Sequence, residues 1–192
     1  MSLRSTLLYL SRHNGLRRWM ETSRTAQAFS SRFVAGHTLE EGLAVCQKLK
    51  DEGIASTLDY LGENVTSLDE AAACRDMYLR MLDRMHEAGL EPNVSLKLSQ
   101  FGMDLSEAAC EENVGALVQR AQQLNGFVRI DMESSPYTDR TLGIVTRLHQ
   151  LYGACGTVVQ AYLRRSAKDI ECLQRAGIRV RLCKGAYLEP PE

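Results

Sequence analysis

An excess of charge of either sign is missing from this 192-residue sequence: 23 lysines and arginines face 24 aspartates and glutamates, for a net charge of -1. That balance gives no support to a nucleic-acid or anionic-membrane surface as the main partner. No apolar run reaches the length of a membrane-crossing helix. The CxxC spacing is absent. Cys46, Cys74, Cys110, Cys155, Cys172 and Cys183 are scattered, mostly through apolar helix patterns, and read as reduced core residues of a cytosolic-type protein. His13, His37, His86 and His149 lack ligand spacing, which argues against zinc. No GxGxxG follows the first predicted strand, which weakens a dinucleotide-binding reading. Short hairpins between strands are missing too, and strands joined only through helices run parallel.

What is present begins with a distinct leader. Residues 1–35 hold Arg4, Arg12, Arg17, Arg18, Arg24 and Arg32, many serines, and Glu21 as the only acid. Such a composition fits an organellar transit peptide. It fits equally one or two amphipathic helices, with Leu7, Leu8, Leu10, Leu16, Trp19, Met20 and Phe29 on the apolar side. Structural helices are the favoured reading, because the pattern runs into the next helix without an obvious cleavage site.

From Thr38 a rhythm sets in. Thr38 with Glu41 and Ser67 with Glu70 are capping boxes that open helices. Gly53, Gly89, Asn125-Gly126 and Gly177 are stops. Tyr78, Met81, Leu82 and Met85 follow the helical period, as do Val114, Leu117, Val118 and Ala121, and Leu142, Val145 and Leu148. Ser135-Pro136 fits an N-cap and first helical position. Strands are predicted at Ile54–Leu61, Val94–Leu98, Phe127–Met132, Thr157–Tyr162 and Ile178–Cys183. A doubly wound sheet and a (β/α)8 barrel both fit this order.

The polar residues near the strand ends carry the chemistry. Strand one ends at Asp59, with Glu63 four residues on. Strand two contains Lys97, strand three Asp131, strand four Gln160, and strand five Arg181 followed by Lys184. Buried charge costs several kcal/mol unless it is paired. Five strands that each bring polar groups to the same end therefore predict a shared site there, where parallel α/β folds bind ligands. A structural ion-pair network, for example Lys97 with Asp131, is the plainer reading. Gly185, after strand five, permits close approach of another group.

Asp59-Tyr60-Leu61-Gly62-Glu63, Ser95 to Gln100, Arg129 to Glu133, Gln160-Ala161-Tyr162 and Arg181 to Tyr187 together resemble proline dehydrogenase, the flavin-dependent enzyme of proline catabolism. Arg32 to Gly36 followed by Thr38-Leu39-Glu40-Glu41 resembles its entry into the barrel. The resemblance implies a distorted (β/α)8 TIM-type barrel over residues 36–192, with helices in 1–35. It implies FAD as cofactor and L-proline as substrate, oxidised to Δ1-pyrroline-5-carboxylate by hydride transfer from C5 to flavin N5. It also implies site roles. Asp131 and Arg181 are active-site positions. Lys97, Ala186, Tyr187, Asp59 and Glu63 serve the substrate, with Lys97 paired to an acid, most directly Asp131. Met132, Gln160, Arg181, Lys184, Gly185 and Ala186 serve the flavin. The electron acceptor it implies is a membrane quinone. The implied location is cytoplasmic, peripheral at the inner membrane face, with a mitochondrial alternative.

Against the family pattern the sequence stops soon after strand five, past Pro190-Pro191. The expectation is therefore a barrel truncated after about five strands. It lacks the helix bearing the family's carboxylate-binding arginine pair and has little activity of its own. Two other classes remain open. One is a Schiff-base barrel enzyme of aldolase type using Lys184. The other is a non-catalytic barrel fragment that binds a partner through an exposed sheet edge.

Overall fold

The computed structural model describes residues 34–62, 64–185 and 187. The helices expected within 1–33, and the positions Glu63 and Ala186, lie outside the described residues. The chain divides into two compact units, Met1–Val45 and Cys46–Glu192. The sheet and the site belong to the second.

Helix α1 spans Leu39–Asp51 and α2 Leu68–Glu87. Both open on the predicted capping boxes. The Glu41 amide donates to Thr38 Oγ1 at 3.3 Å, and the Glu41 carboxylate accepts from the His37 and Thr38 amides. At α2 the Glu70 amide donates to Ser67 Oγ at 3.2 Å. Its carboxylate reaches one residue further back, to the amide and hydroxyl of Thr66. Helices α3 (Glu107–Gln123), α4 (Thr138–Tyr152) and α5 (Ser166–Arg175) follow. Ser135-Pro136 opens a single 3-10 turn ahead of α4 rather than α4 itself.

The strands are β1 (Leu58–Asp59), β2 (Asn93–Lys97), β3 (Phe127–Asp131), β4 (Cys155–Gln160) and β5 (Arg179–Cys183). Every neighbouring pair is parallel, and the order is 1-2-3-4-5. This order decides between the two architectures. A doubly wound sheet reverses its order at a switch point. Here it never reverses, so crossovers of one hand place every helix on the same face. That is the barrel-type α/β arrangement.

Strand alternation then sorts the residues. Val94, Leu96, Val128, Ile130 and Val159 are buried, as are Met81, Leu82 and Met85 of α2, Val114, Leu117 and Val118 of α3, and Ile144, Val145 and Leu148 of α4. The alternate positions form the opposite face in rows. One row is Asp59, Ser95, Arg129, Gly156 and Arg179; the next contains Lys97 beside Asp131 and Val158 beside Arg181.

Strand β1 is shorter than the sequence predicts, two residues against eight. At its C-terminal end the cause is a side chain. Tyr78, fully buried on α2, places its hydroxyl between β1 and β2. The Tyr60 amide donates to Tyr78 Oη at 3.2 Å, and Tyr78 Oη stands 2.9 Å from the Ser95 carbonyl oxygen. The hydroxyl takes the place of the next rung of the ladder. The Tyr60 carbonyl accepts from Gln100 Nε2 at 3.0 Å. Side chains satisfy both polar groups of Tyr60, and the strand ends.

Cys46, Cys110 and Cys155 are buried, as expected, but Cys172 and Cys183 are exposed. Burial pushes the Cys110 and Cys155 thiols up to about 12, so neither is ionised at neutral pH.

The lower row depends on Gly156. A Cβ there would collide with the Arg179 carbonyl oxygen and would lie 2.9 Å from both Arg129 Nη1 and the Phe127 ring. Because one of the obstructing atoms is backbone, Gly156→Ala is expected to destabilise the protein by roughly 1–3 kcal/mol. Urea unfolding of the variant checks this, and an unchanged midpoint would contradict the packing.

Candidate active site

A cavity of about 260 Å³ opens at the C-terminal ends of the strands, lined by Lys97, Asp131, Met132, Val158, Gln160, Arg181, Cys183, Gly185 and Tyr187. Seven of the residues singled out from the sequence thus share one opening. Asp59 lies one row below, in register with Ser95. Lys184 is exposed and is not among the lining residues, so the cavity gives no support to a Schiff base there. Val158 and Cys183 line the cavity without having been anticipated. Both fall on the inward alternation of their strands, which is the signal that would have found them.

Asp131 carries the central carboxyl. Burial raises its pKa above the usual carboxylate range, and the nearby Asp59 charge adds to the rise. Three groups oppose that: a hydrogen bond from Ser95, then the charges of Arg181 and Lys97. The Ser95 Oγ donates to Asp131 Oδ1 at 2.9 Å. The expected Lys97–Asp131 ion pair does not form, although the two are register partners. Asp131 is held by the serine two residues earlier on β2, and Lys97 acts on it through space. Ser95 is 4 % exposed and was not singled out from the sequence; its place two residues before Lys97, on the same strand face, marks it.

Gln160 has an uneven set of partners. Its Nε2 donates to the Met132 and Glu133 carbonyls at 3.1 and 2.9 Å. Its Oε1 is buried and accepts from no protein group. An orphaned acceptor costs about 1–3 kcal/mol when nothing fills it. The amide is fixed by two donated bonds, and Gln160 is one of the residues that line the cavity. Glu133, also buried, accepts from the amide and hydroxyl of Ser99 at 3.0 and 2.6 Å and ties the ends of β2 and β3 together.

The β5 end is shaped by Gly185, whose φ of 112° is strained for any side chain. A Cβ there would lie inside the Tyr162 ring. Tyr162 Oη donates to the Tyr187 carbonyl at 3.0 Å, so the rim of the cavity is tied to the end of β4. Beneath the cavity, the Arg129 guanidinium donates to the Thr157 and Arg179 carbonyls at 3.1 and 2.8 Å. Burial lowers its pKa, and Arg181 and Arg179 lower it further. The face is thus rich in cations, with Asp131 and Asp59 as the acids among them.

Residues 43–190 match the proline dehydrogenase family. The chain belongs to that family. Proline dehydrogenase 1 of Bacillus subtilis subsp. natto is 35% identical over 187 residues, which are 97% of this chain and 62% of the relative. Proline dehydrogenase of Deinococcus radiodurans is 36% identical over 166 residues, 84% of this chain and 54% of the relative. The chain therefore spans between half and two thirds of these curated relatives. Among solved structures, proline utilization A from Bdellovibrio bacteriovorus, inactivated by N-propargylglycine, superposes with a TM-score of 0.75 at 25% identity. That match covers 84% of this chain and 21% of the other. The likeness to single-function bacterial members fits the resemblance seen in the sequence, and the structural match agrees with the barrel-type fold.

Asp131 supplies a test of the site's electrostatics. Its raised pKa means that the folded state holds a proton more tightly than the unfolded chain. The carboxyl therefore costs no stability below its unfolded pKa and an increasing amount as pH rises through its folded pKa. Asp131→Asn removes the charge and keeps an acceptor for Ser95. The variant is expected to be at least as stable as the parent at neutral pH, with the advantage vanishing in acid. Thermal unfolding across that range measures it. A loss of stability at neutral pH would show that Asp131 is a net structural asset.

Proposed function

We propose that the protein acts in the FAD-dependent oxidation of L-proline to Δ1-pyrroline-5-carboxylate, the first step of proline degradation to glutamate. The observation that carries this reading is the single cavity that the fixed Gln160 amide lines together with Arg181 and Lys97, in a chain of this family. A ring that becomes anionic on reduction suits a cationic wall. Bound FAD would supply the hydride acceptor at N5 for the C5 hydrogen of proline.

The chain's own residues divide the remaining work. Met132, Gln160, Gly185 and Arg181 would hold the flavin, with Lys184 and Ala186 as the further expected contacts. Lys97, Asp59 and Tyr187 would serve the substrate, with Glu63 and Ala186 as expected neighbours. The Arg181 and Lys97 charges favour a carboxylate substrate and disfavour a cationic one. Asp131, oriented by Ser95, offers one fixed acceptor in that cationic surround. The carboxyl is itself partly desolvated by burial. L-proline is thus the electron donor, with a membrane quinone as the onward acceptor.

Lys97→Met tests the reading, because it removes the charge at similar volume. Dye reduction with added FAD and L-proline should fall by roughly tenfold to a hundredfold, the worth of a charge-assisted contact of about 1.5–3 kcal/mol. Stability should change by no more than about 1 kcal/mol. Turnover is read in a protein that carries the whole length of the relatives' catalytic domain. A Lys97→Met protein that oxidises proline at the parent rate would count against the proposed site.

A further inference from the structure

Tyr78 is a residue that the proposed reaction does not use. It sits in the apolar stripe of α2, fully buried, with its ring against Phe101 at 5.4 Å between centroids. A buried phenol with one hydroxyl proton ordinarily makes one or two hydrogen bonds. This one has four polar neighbours. It accepts from the Tyr60 amide at 3.2 Å, and stands 2.9 Å from the Ser95 carbonyl, 3.0 Å from Asp59 Oδ1 and 3.4 Å from the Tyr60 carbonyl. Burial and the Asp59 charge both push its pKa upward, so the hydroxyl keeps its proton and remains a donor.

The placement joins two acids. Tyr78 touches Asp59 on β1 and the backbone of Ser95 on β2. The Ser95 side chain in turn holds Asp131 on β3. We propose that Tyr78 is a positioning residue: its one hydroxyl proton, shared between the Ser95 carbonyl and the Asp59 carboxylate, pins that carboxylate beneath the cavity, where it bears on Asp131. This deepens the proposed function, because Asp131 is the acid that reading relies on. The helix core would then set the charge of the site through one hydroxyl and one serine.

Other groups also face Asp131. Lys97 and Ser95 come from β2, Arg181 from β5, and Arg129 precedes it on its own strand. A test must separate these from Tyr78, and carboxyl carbon NMR of aspartate-labelled chain does so. It needs neither flavin nor turnover, so it stands whether or not proline is the substrate. Asp59→Asn keeps an acceptor for Tyr78 and removes the charge, and should move the Asp131 midpoint downward. Tyr78→Phe frees the Asp59 side chain and should move the midpoint in the same direction. In the Asp59→Asn background, Tyr78→Phe should move it no further. A Tyr78 that only fills the core would lower stability in both backgrounds and leave the Asp131 midpoint in place, which would overturn the proposal.

A second measurement does not depend on the folding of Tyr78→Phe. In the parent chain the Tyr78 hydroxyl proton should exchange slowly and show a cross-peak to the Tyr60 amide proton. Asp59→Asn should shift that hydroxyl resonance. A hydroxyl that exchanges with solvent like an exposed phenol, or one indifferent to residue 59, would also overturn it.

Discussion

Five parallel strands in unbroken order give their two faces different neighbours. Crossovers of one hand send every helix to the same side, so that side is closed by apolar packing and the other must make its own environment. In this protein it does so with charge. Asp59, Lys97, Arg129, Asp131, Arg179 and Arg181 all fall on inward positions of the alternation. Charges so placed persist only where the backbone or a neighbouring side chain answers them. The answers seen here are hydroxyls and carbonyls: Ser95 for Asp131, Tyr78 for Asp59, and the Thr157 and Arg179 carbonyls for Arg129. Among the described residues, direct ion pairs are seen on the helices, as between Arg147 and Glu111 or Arg120 and Asp83. The polar face thus stays available for a ligand's charge.

Much of this was legible in the sequence, for reasons that can be named. The helices announce themselves by local chemistry, because a capping serine or threonine and a glutamate three residues on act within a single turn. Strands two to five are short apolar runs between such helices, and their ends fell within a residue or two. Parallel pairing followed from the absence of hairpins, and the gathering of Lys97, Asp131, Gln160 and Arg181 followed from the pairing.

What the sequence hid depended on distant parts of the chain. Tyr78 looks like any other member of an apolar helix stripe, so nothing local shows that its hydroxyl ends β1. Lys97 and Asp131 were expected to pair because they are opposite charges on neighbouring strands. The structure satisfies Asp131 with Ser95, a choice set by where each side chain reaches, which a register alone does not determine. Lys184 follows Arg181 by three residues and so stands out of phase with the inward positions. That phase separates a cation that lines the cavity from one that faces water.

The row beneath the cavity has a consequence for how such a sequence can change. The Phe127 ring carries the Arg179 guanidinium 3.6 Å from its centroid and the Arg129 guanidinium at 4.7 Å. Arg129 also reaches across β4 to the β5 backbone, over the space that Gly156 leaves open. Four strand positions therefore share one volume. Shrinking Arg129 would open room beside residue 156 but strip the Thr157 and Arg179 carbonyls of a donor. Enlarging residue 156 would still meet the backbone of β5. Neither change is downhill by itself, so residues 129 and 156 constrain one another.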